Sequence, residues 1–424
     1  MDRTKAPEFK KIESVSFIQP THLQLKNGLK IHVISGGSQD IVKIDFIFKA
    51  GTYFQPKLLV AGATNHLLKE GTKNYNSFEI AEGIDQYGAY LQNSYDMDRA
   101  SVTLFTRNQF LKEVLVYIQE VILYPKFDEN EFNLYINNAK EKYKISIEKV
   151  AYVAKKESMS QIFGSSNPYG ANATAEDFDK ISILDVIDFH KKYYQLGNCE
   201  LILSGKVTEE CISLLEKYFG KIPLADTKID NAIESTQTNT PNKIFINKPN
   251  SLQSAIRIGK KIPNKLHKDY MGLAILNTIL GGYFGSRLMK NIREDKGYTY
   301  GINSGMVSLR NDGFFYISTE VGSDVTKEAL HEIYKEIELL KTEKICKEEL
   351  TLVKNYIMGK ILKSCDGPFN MAELFEEVYF YELDYGFYNQ YIHKINTITP
   401  EELMKLAQKY FVDFKEIVVG VLKN

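Results

Sequence analysis

Residues 280–305 read LGGYFGSRLMKNIREDKGYTYGINSG. Three glycines, Gly281, Gly282 and Gly285, come before Ser286-Arg287-Leu288, and a helical run then carries Arg293. Tyr300 follows that arginine by seven residues. The glycines match neither G-x-G-x-x-G nor the P-loop pattern, which excludes a phosphate-cradling loop. Around this stretch the hydrophobic periodicity predicts strands at 243–247 and 253–258, a helix at 269–280, and strands at 300–309 and 313–321. A long amphipathic helix at 325–340 completes the set.

The first half shows the same order. Alternating apolar residues predict strands at 30–34 and 42–48. An Ala-rich segment at 58–71, closed by Gly71, predicts a helix with a glycine C-cap, and Ser77 sits in capping position for the next helix. Two strands follow near 89–94 and 99–107, then a long amphipathic helix at 109–123. Residues 129–165 are strongly helical, 182–194 form another helix, and 199–204 a strand. Matching the helix NQFLKEVLVYIQEVIL to SDVTKEALHEIYKEIEL gives an offset of about 215 residues with few identities, so the repeat is architectural. Between them the polar run DTKIDNAIESTQTNTPN marks a linker at 226–242, separating domains at 1–225 and 243–424. The order fits an α+β fold of two homologous-looking halves, each a largely antiparallel sheet with helices packed on one face.

Composition narrows the function classes. Fifty-three Lys+Arg balance 54 Asp+Glu, for a net charge of −1, which argues against nucleic-acid or polybasic membrane binding. The four cysteines, Cys199, Cys211, Cys346 and Cys365, contain no C-x-x-C and support neither a disulfide framework nor a thiolate zinc site. The N-terminal segment MDRTKAPEFKKIESVSFIQP lacks the apolar run of a secretory signal, and no run of about 18 apolar residues predicts a membrane span. The expectation is a soluble, cytoplasmic protein.

With these elements in place, residues 280–305 resemble the second-half signature of the insulinase (pitrilysin) family of zinc peptidases. That family includes insulin-degrading enzyme and the mitochondrial processing peptidase. Its pattern places glycines and a Ser-Arg-Leu before a helical arginine, with a tyrosine further on, here Arg293 and Tyr300. LKNGLKIHVI at 25–34, KAGTYF at 49–54, LLKEGT at 67–72 and DVIDFHKKYYQLGNCELILSG at 185–205 agree with the family in order. The resemblance covers nearly the whole chain and implies the mitochondrial processing peptidase-like metallohydrolase fold.

The family's metal motif is H-x-x-E-H on a first-half helix, with two histidine ligands and a glutamate base. Anchoring on Gly71-Thr72 puts the motif at Gly62-Ala63-Thr64-Asn65-His66. Gly62 then holds the first ligand position, Asn65 the base position, and only His66 keeps its chemistry. The family's third ligand, a glutamate about 76 residues beyond the second histidine, falls on Lys142. Zinc needs three neutral or anionic protein ligands, so no metal is expected here. His66 is expected to be an ordinary helix residue with a hydrogen-bond partner. The other histidines offer no pair at helical ligand spacing.

An arbitrary helix arginine is usually solvated and paired, here with Glu294 or Asp295, and a strand tyrosine is usually packed in the core. The pair at family spacing, inside the glycine frame, favours function. In the family the arginine anchors the substrate backbone and the tyrosine hydroxyl donates to the oxyanion, roles that suit a forked cation and a positioned phenol. The resemblance therefore implies a zinc-less subunit of a heterodimeric peptidase, inactive alone, whose partner carries zinc. A homodimer is an alternative when the chain is isolated. Peptides would add as a strand to a sheet edge around 90–93, with Asn93 as a substrate-binding residue. The rival readings are a non-catalytic scaffold, as in core proteins of the respiratory bc1 complex, and a solitary peptide-binding protein.

Overall fold

The computed structural model describes residues 15–225 and 241–421. The first half opens with β1 (Thr21–Gln24), β2 (Lys30–Ser35) and β3 (Ile41–Phe48), then α1 (Val60–Leu67) and α2 (Ser77–Asp85). The hairpin β4 (Tyr90–Tyr95) and β5 (Ala100–Arg107) precedes α3 (Leu111–Leu123), α4 (Glu129–Ile147), α5 (Val150–Phe163) and α6 (Ile183–Tyr193). β6 (Cys199–Gly205) and α7 (Glu209–Phe219) close it. The second half runs β7 (Lys243–Asn247), β8 (Gln253–Lys261), α8 (Tyr270–Leu280), a π-helical turn (Met289–Asp295), β9 (Ile302–Ser308) and β10 (Gly313–Gly322). It ends with α9 (Thr326–Thr342), α10 (Lys347–Ser364), α11 (Gly367–Tyr379), α12 (Gly386–Thr397), α13 (Pro400–Tyr410) and β11 (Lys415–Gly420).

The strand orders are β1-β2-β6-β3-β5-β4 and β7-β11-β8-β10-β9. Without β1 the two orders match strand for strand. Each sheet has one parallel pair, β2 with β6 and β7 with β11, and is otherwise antiparallel. The expected α+β architecture of two repeated halves is therefore the observed one. β4 and β9 end their sheets in corresponding places.

Helices cover both faces of each sheet, one face more than periodicity suggested. On the second face, each half lends a helix to the other. α5, from the first half, packs Val150 and Ala154 against Ala255 of β8 and Ile417 and Val419 of β11. α11, from the second half, packs Met371, Ala372 and Phe375 against Ile34, Ile47 and Ile202 of the first sheet. This explains why the central strand β3, IVKIDFIF, is buried at every position after the first instead of alternating. The helical run at 129–165 breaks at Glu148-Lys149, where α4 ends and α5 turns toward the other sheet.

Local signals moved by a few residues. α1 stops at Leu67, short of Gly71 (φ 132°): Glu70 N–H donates to the Leu67 carbonyl in a closing turn, and beyond the glycine Thr72 N–H donates to the Tyr75 carbonyl. Asn76, not Ser77, caps α2: its side chain accepts from Glu79 N–H, and Glu79 returns a bond to the Asn76 N–H. Ser182 caps α6 through the same reciprocal box with Asp185. Of the linker read at 226–242, residues 226–240 lie outside the described residues. Among the described residues no helix is long and apolar enough to cross a membrane.

Candidate functional site

α1 begins after Leu59, which holds φ at 76°, a conformation leucine rarely adopts. The helix then buries Gly62, Ala63, Thr64 and Asn65. Asn65 Nδ2 donates to the Tyr194 hydroxyl at 3.2 Å, and the Asn65 carbonyl accepts from Asn93 Nδ2 at 2.8 Å. Asn93 thereby ties edge strand β4 to α1, and its side chain faces inward. Among the described residues its buried Oδ1 has no hydrogen-bond partner. Asn93 and Tyr95 share a strand face, as the two-residue period of a strand requires.

Tyr95 decides what this place can hold. A Cβ on Gly62 would lie 2.6 Å from the Tyr95 hydroxyl and 3.4 Å from that of Tyr135. The volume into which a first metal ligand would project is thus occupied by two phenols. Burial raises the pKa of both, so neither is a phenolate at neutral pH. His66 stacks on the Tyr135 ring, with centroids 4.6 Å apart and planes at 27°, and its Nε2 lies 3.6 Å from Glu70 Oε1. Burial chiefly lowers the His66 pKa, outweighing the opposing Glu70 charge, and the positive charge of Lys142 lowers it further. His66, Tyr135 and Lys142 line one cleft of about 290 Å³.

The fold places Gly62, Asn65 and His66 on α1, with Lys142 lining the same cleft as His66 and Asn93 bonded to the Asn65 carbonyl. This donor set does not fit zinc: one imidazole, one ammonium and a glycine blocked by a phenol. Among the described residues no three His, Cys, Asp or Glu side chains are grouped to hold a metal. The packing gives a direct test. Gly62→Ala should cost about 1–3 kcal/mol in urea unfolding through overpacking, and most of that cost should vanish in a Tyr95→Ala background. Equal costs in both backgrounds would show that Tyr95 does not fill the position.

The second-half residues are built differently. α8 ends at Gly281, whose carbonyl accepts Ser304 N–H at 3.0 Å, and a Cβ there would meet that nitrogen at 2.7 Å. The glycine is thus needed for close approach of helix and β9. Arg293 lies on the π-helical turn, a rare geometry often found at functional sites. Asn291 Nδ2 anchors that turn, donating to Glu332 at 2.9 Å and Glu336 at 2.7 Å on α9. The Arg293 guanidinium sits 4.7 Å from the centre of the Phe284 ring, and among the described residues it has no carboxylate partner. The pairing with Glu294 or Asp295 is not formed.

Tyr300 precedes β9 instead of lying in it, and it is 96 % exposed. The core-packed alternative for it does not hold. Its backbone neighbours are clamped: Thr299 Oγ1 accepts Gly301 N–H at 3.1 Å and donates to the Glu320 carbonyl at 2.7 Å. A fixed backbone thus projects a free phenol. Neither Arg293 nor Tyr300 lines the His66–Lys142 cleft. Sequence spacing also missed a polar chain in which His22 and His32, cross-strand partners in β1 and β2, have Nδ1 atoms 2.7 Å apart. His32 Nε2 lies 3.0 Å from Glu200 Oε2.

Residues 34–166 match the family described as insulinase (peptidase family M16), and residues 180–357 match the peptidase M16 inactive domain. An uncharacterized zinc protease, YmxG of Bacillus subtilis, is 22 % identical over 82 % of this chain and 84 % of its own. A non-peptidase homolog, YmxG of Helicobacter pylori, is 22 % identical over 74 % of each chain. The crystal structure of a peptidase M16 inactive domain from Pseudomonas fluorescens superposes with a TM-score of 0.84 at 22 % identity, covering 96 % of this chain and 99 % of that one.

Proposed function

The chain belongs to the insulinase (M16) peptidase family, and from that premise we propose that it is the zinc-less subunit of a two-chain peptidase. A homologous partner with an intact H-x-x-E-H motif supplies metal and base. This chain supplies Arg293 to anchor the substrate backbone and Tyr300 to donate to the oxyanion. The observation that carries this reading is the contrast between the two halves. The old metal position is filled by Tyr95, whereas Tyr300 stands exposed on a clamped backbone with no hydrogen-bond partner among the described residues. A peptide would bind extended along the free edge of β4. The assembly would work in the cytoplasm.

A second reading has one specific support. The Helicobacter pylori relative described as a non-peptidase homolog makes a peptide-holding or scaffold subunit the alternative. Zinc counting across the assembly tests the proposal. Mixing the chain with a zinc-bearing homologue should give a one-to-one complex with one zinc per pair, the metal remaining with the partner. One zinc held tightly by this chain alone, and lost in His66→Ala, would overturn it.

A further inference from the structure

We propose that the cleft between the two sheets is a binding site for a small organic anion, one with a carboxylate, sulfonate or phosphate head on an apolar or aromatic body. The inference does not depend on the peptidase reading. The cleft has a volume of about 450 Å³, within the range of small-ligand sites, and lies between the two halves, where such sites concentrate. Its walls come from the β4–β5 turn, α5, the strands β8, β9 and β10, and the segment after α11. Met97, Met159, Val307, Phe314, Tyr316 and Phe380 give it an apolar and aromatic lining.

The charges in that lining are unequal in a specific way. Both carboxylates are already engaged: Asp98 accepts from the Tyr169 hydroxyl and from Arg310 N–H, and Asp96 accepts the amides of Asp98 and Arg99. Two cations are engaged as well. Arg99 pairs with Glu376 at 2.9 Å, and Arg310 Nη1 donates to the Phe380 carbonyl at 2.7 Å. Lys49, Lys155 and Arg257 also line the cleft, and among the described residues none has a carboxylate within 4.0 Å.

Arg257 instead lies over the Tyr316 ring at 5.5 Å, and burial holds its pKa below the usual arginine value. Lys49 is lowered by burial first and by the Arg310 charge second. Lys49 and Arg257 are partly buried, and the carboxylates that oppose their desolvation, Glu200 and Glu382 for Lys49 and Glu320 for Arg257, act from beyond 4.0 Å; an anion in the cleft offsets the remaining cost while the walls focus the field upon it. Triphosphate alone would satisfy the charges but leave the apolar lining uncovered, so the geometry favours a head with an apolar body.

Anilinonaphthalene sulfonate, an anion on an aromatic body, is the probe. It should bind the full chain saturably with a stoichiometry of one, and Arg257→Gln and Lys155→Gln should each weaken binding by roughly tenfold. Lys327→Gln, on the distant exposed face of α9, should leave it unchanged. Lys155 is exposed, so its variant keeps the test open should Arg257→Gln fail to fold. Displacement by dodecanoate would identify a carboxylate on an alkyl body, and displacement by adenosine triphosphate a phosphate on an aryl body. Absence of saturable binding overturns the proposal. So does binding that neither competitor displaces or that Lys155→Gln leaves intact.

Discussion

Replacing Tyr300 by Phe is expected to lower kcat of the assembled two-chain peptidase by on the order of 10²–10³, or about 2.7–4 kcal/mol. The substitution removes one hydroxyl and nothing else. That hydroxyl makes no hydrogen bond among the described residues, and the side chain is 96 % exposed, so stability and assembly should be unaffected. The loss should fall on kcat because an oxyanion donor acts where charge develops, in the transition state. Arg293→Ala should raise KM as well, since anchoring the substrate backbone acts in the ground state too. Its stacking on Phe284 is a surface contact whose loss the fold should tolerate. Steady-state kinetics with zinc content measured alongside will decide. Full kcat and KM in both variants, with partner and metal present, would make the pair structural and favour the scaffold reading.

The larger effect is reconstitution itself. The chain alone should cleave unfolded peptides no faster than background. It lacks a general base at Asn65 and an anionic ligand at Lys142, and Tyr95 blocks the Gly62 position. Adding the zinc-bearing partner should produce cleavage that saturates near one to one, and a chelator should abolish it. Robust, chelator-sensitive cleavage by the isolated chain would refute the division of labour. Activity of the partner alone, unchanged on adding this chain, would do the same.

Much of the fold was legible before the structure. Apolar alternation located most strands of the sheets as far as β10, and helical periodicity located α1, α3, α6, α8 and α9, because those patterns are local consequences of burying one face. The motif alignment likewise uses residue identity alone: Gly62, Asn65, His66 and Lys142 are properties of the chain, and the expectation that it holds no zinc follows from them. The capping box on α2 needed only a shift of one residue, from Ser77 to Asn76.

What the chain could not reveal by itself depends on residues distant in sequence. The exchange of α5 and α11 between sheets leaves no local periodic signal, because the partners of Val150 and Phe375 lie far along the chain. Tyr95 filling the space beside Gly62 is a contact across a strand and a helix, and only packing shows that a side chain at position 62 would collide with it. The inward turn of Asn93, the free projection of Tyr300 and the unpaired cations of the central cleft are of the same kind. Sequence by itself determined which groups the protein has and which elements carry them. Tertiary structure alone decided which groups meet, because burial and electrostatics depend on distance in space and not on separation along the chain.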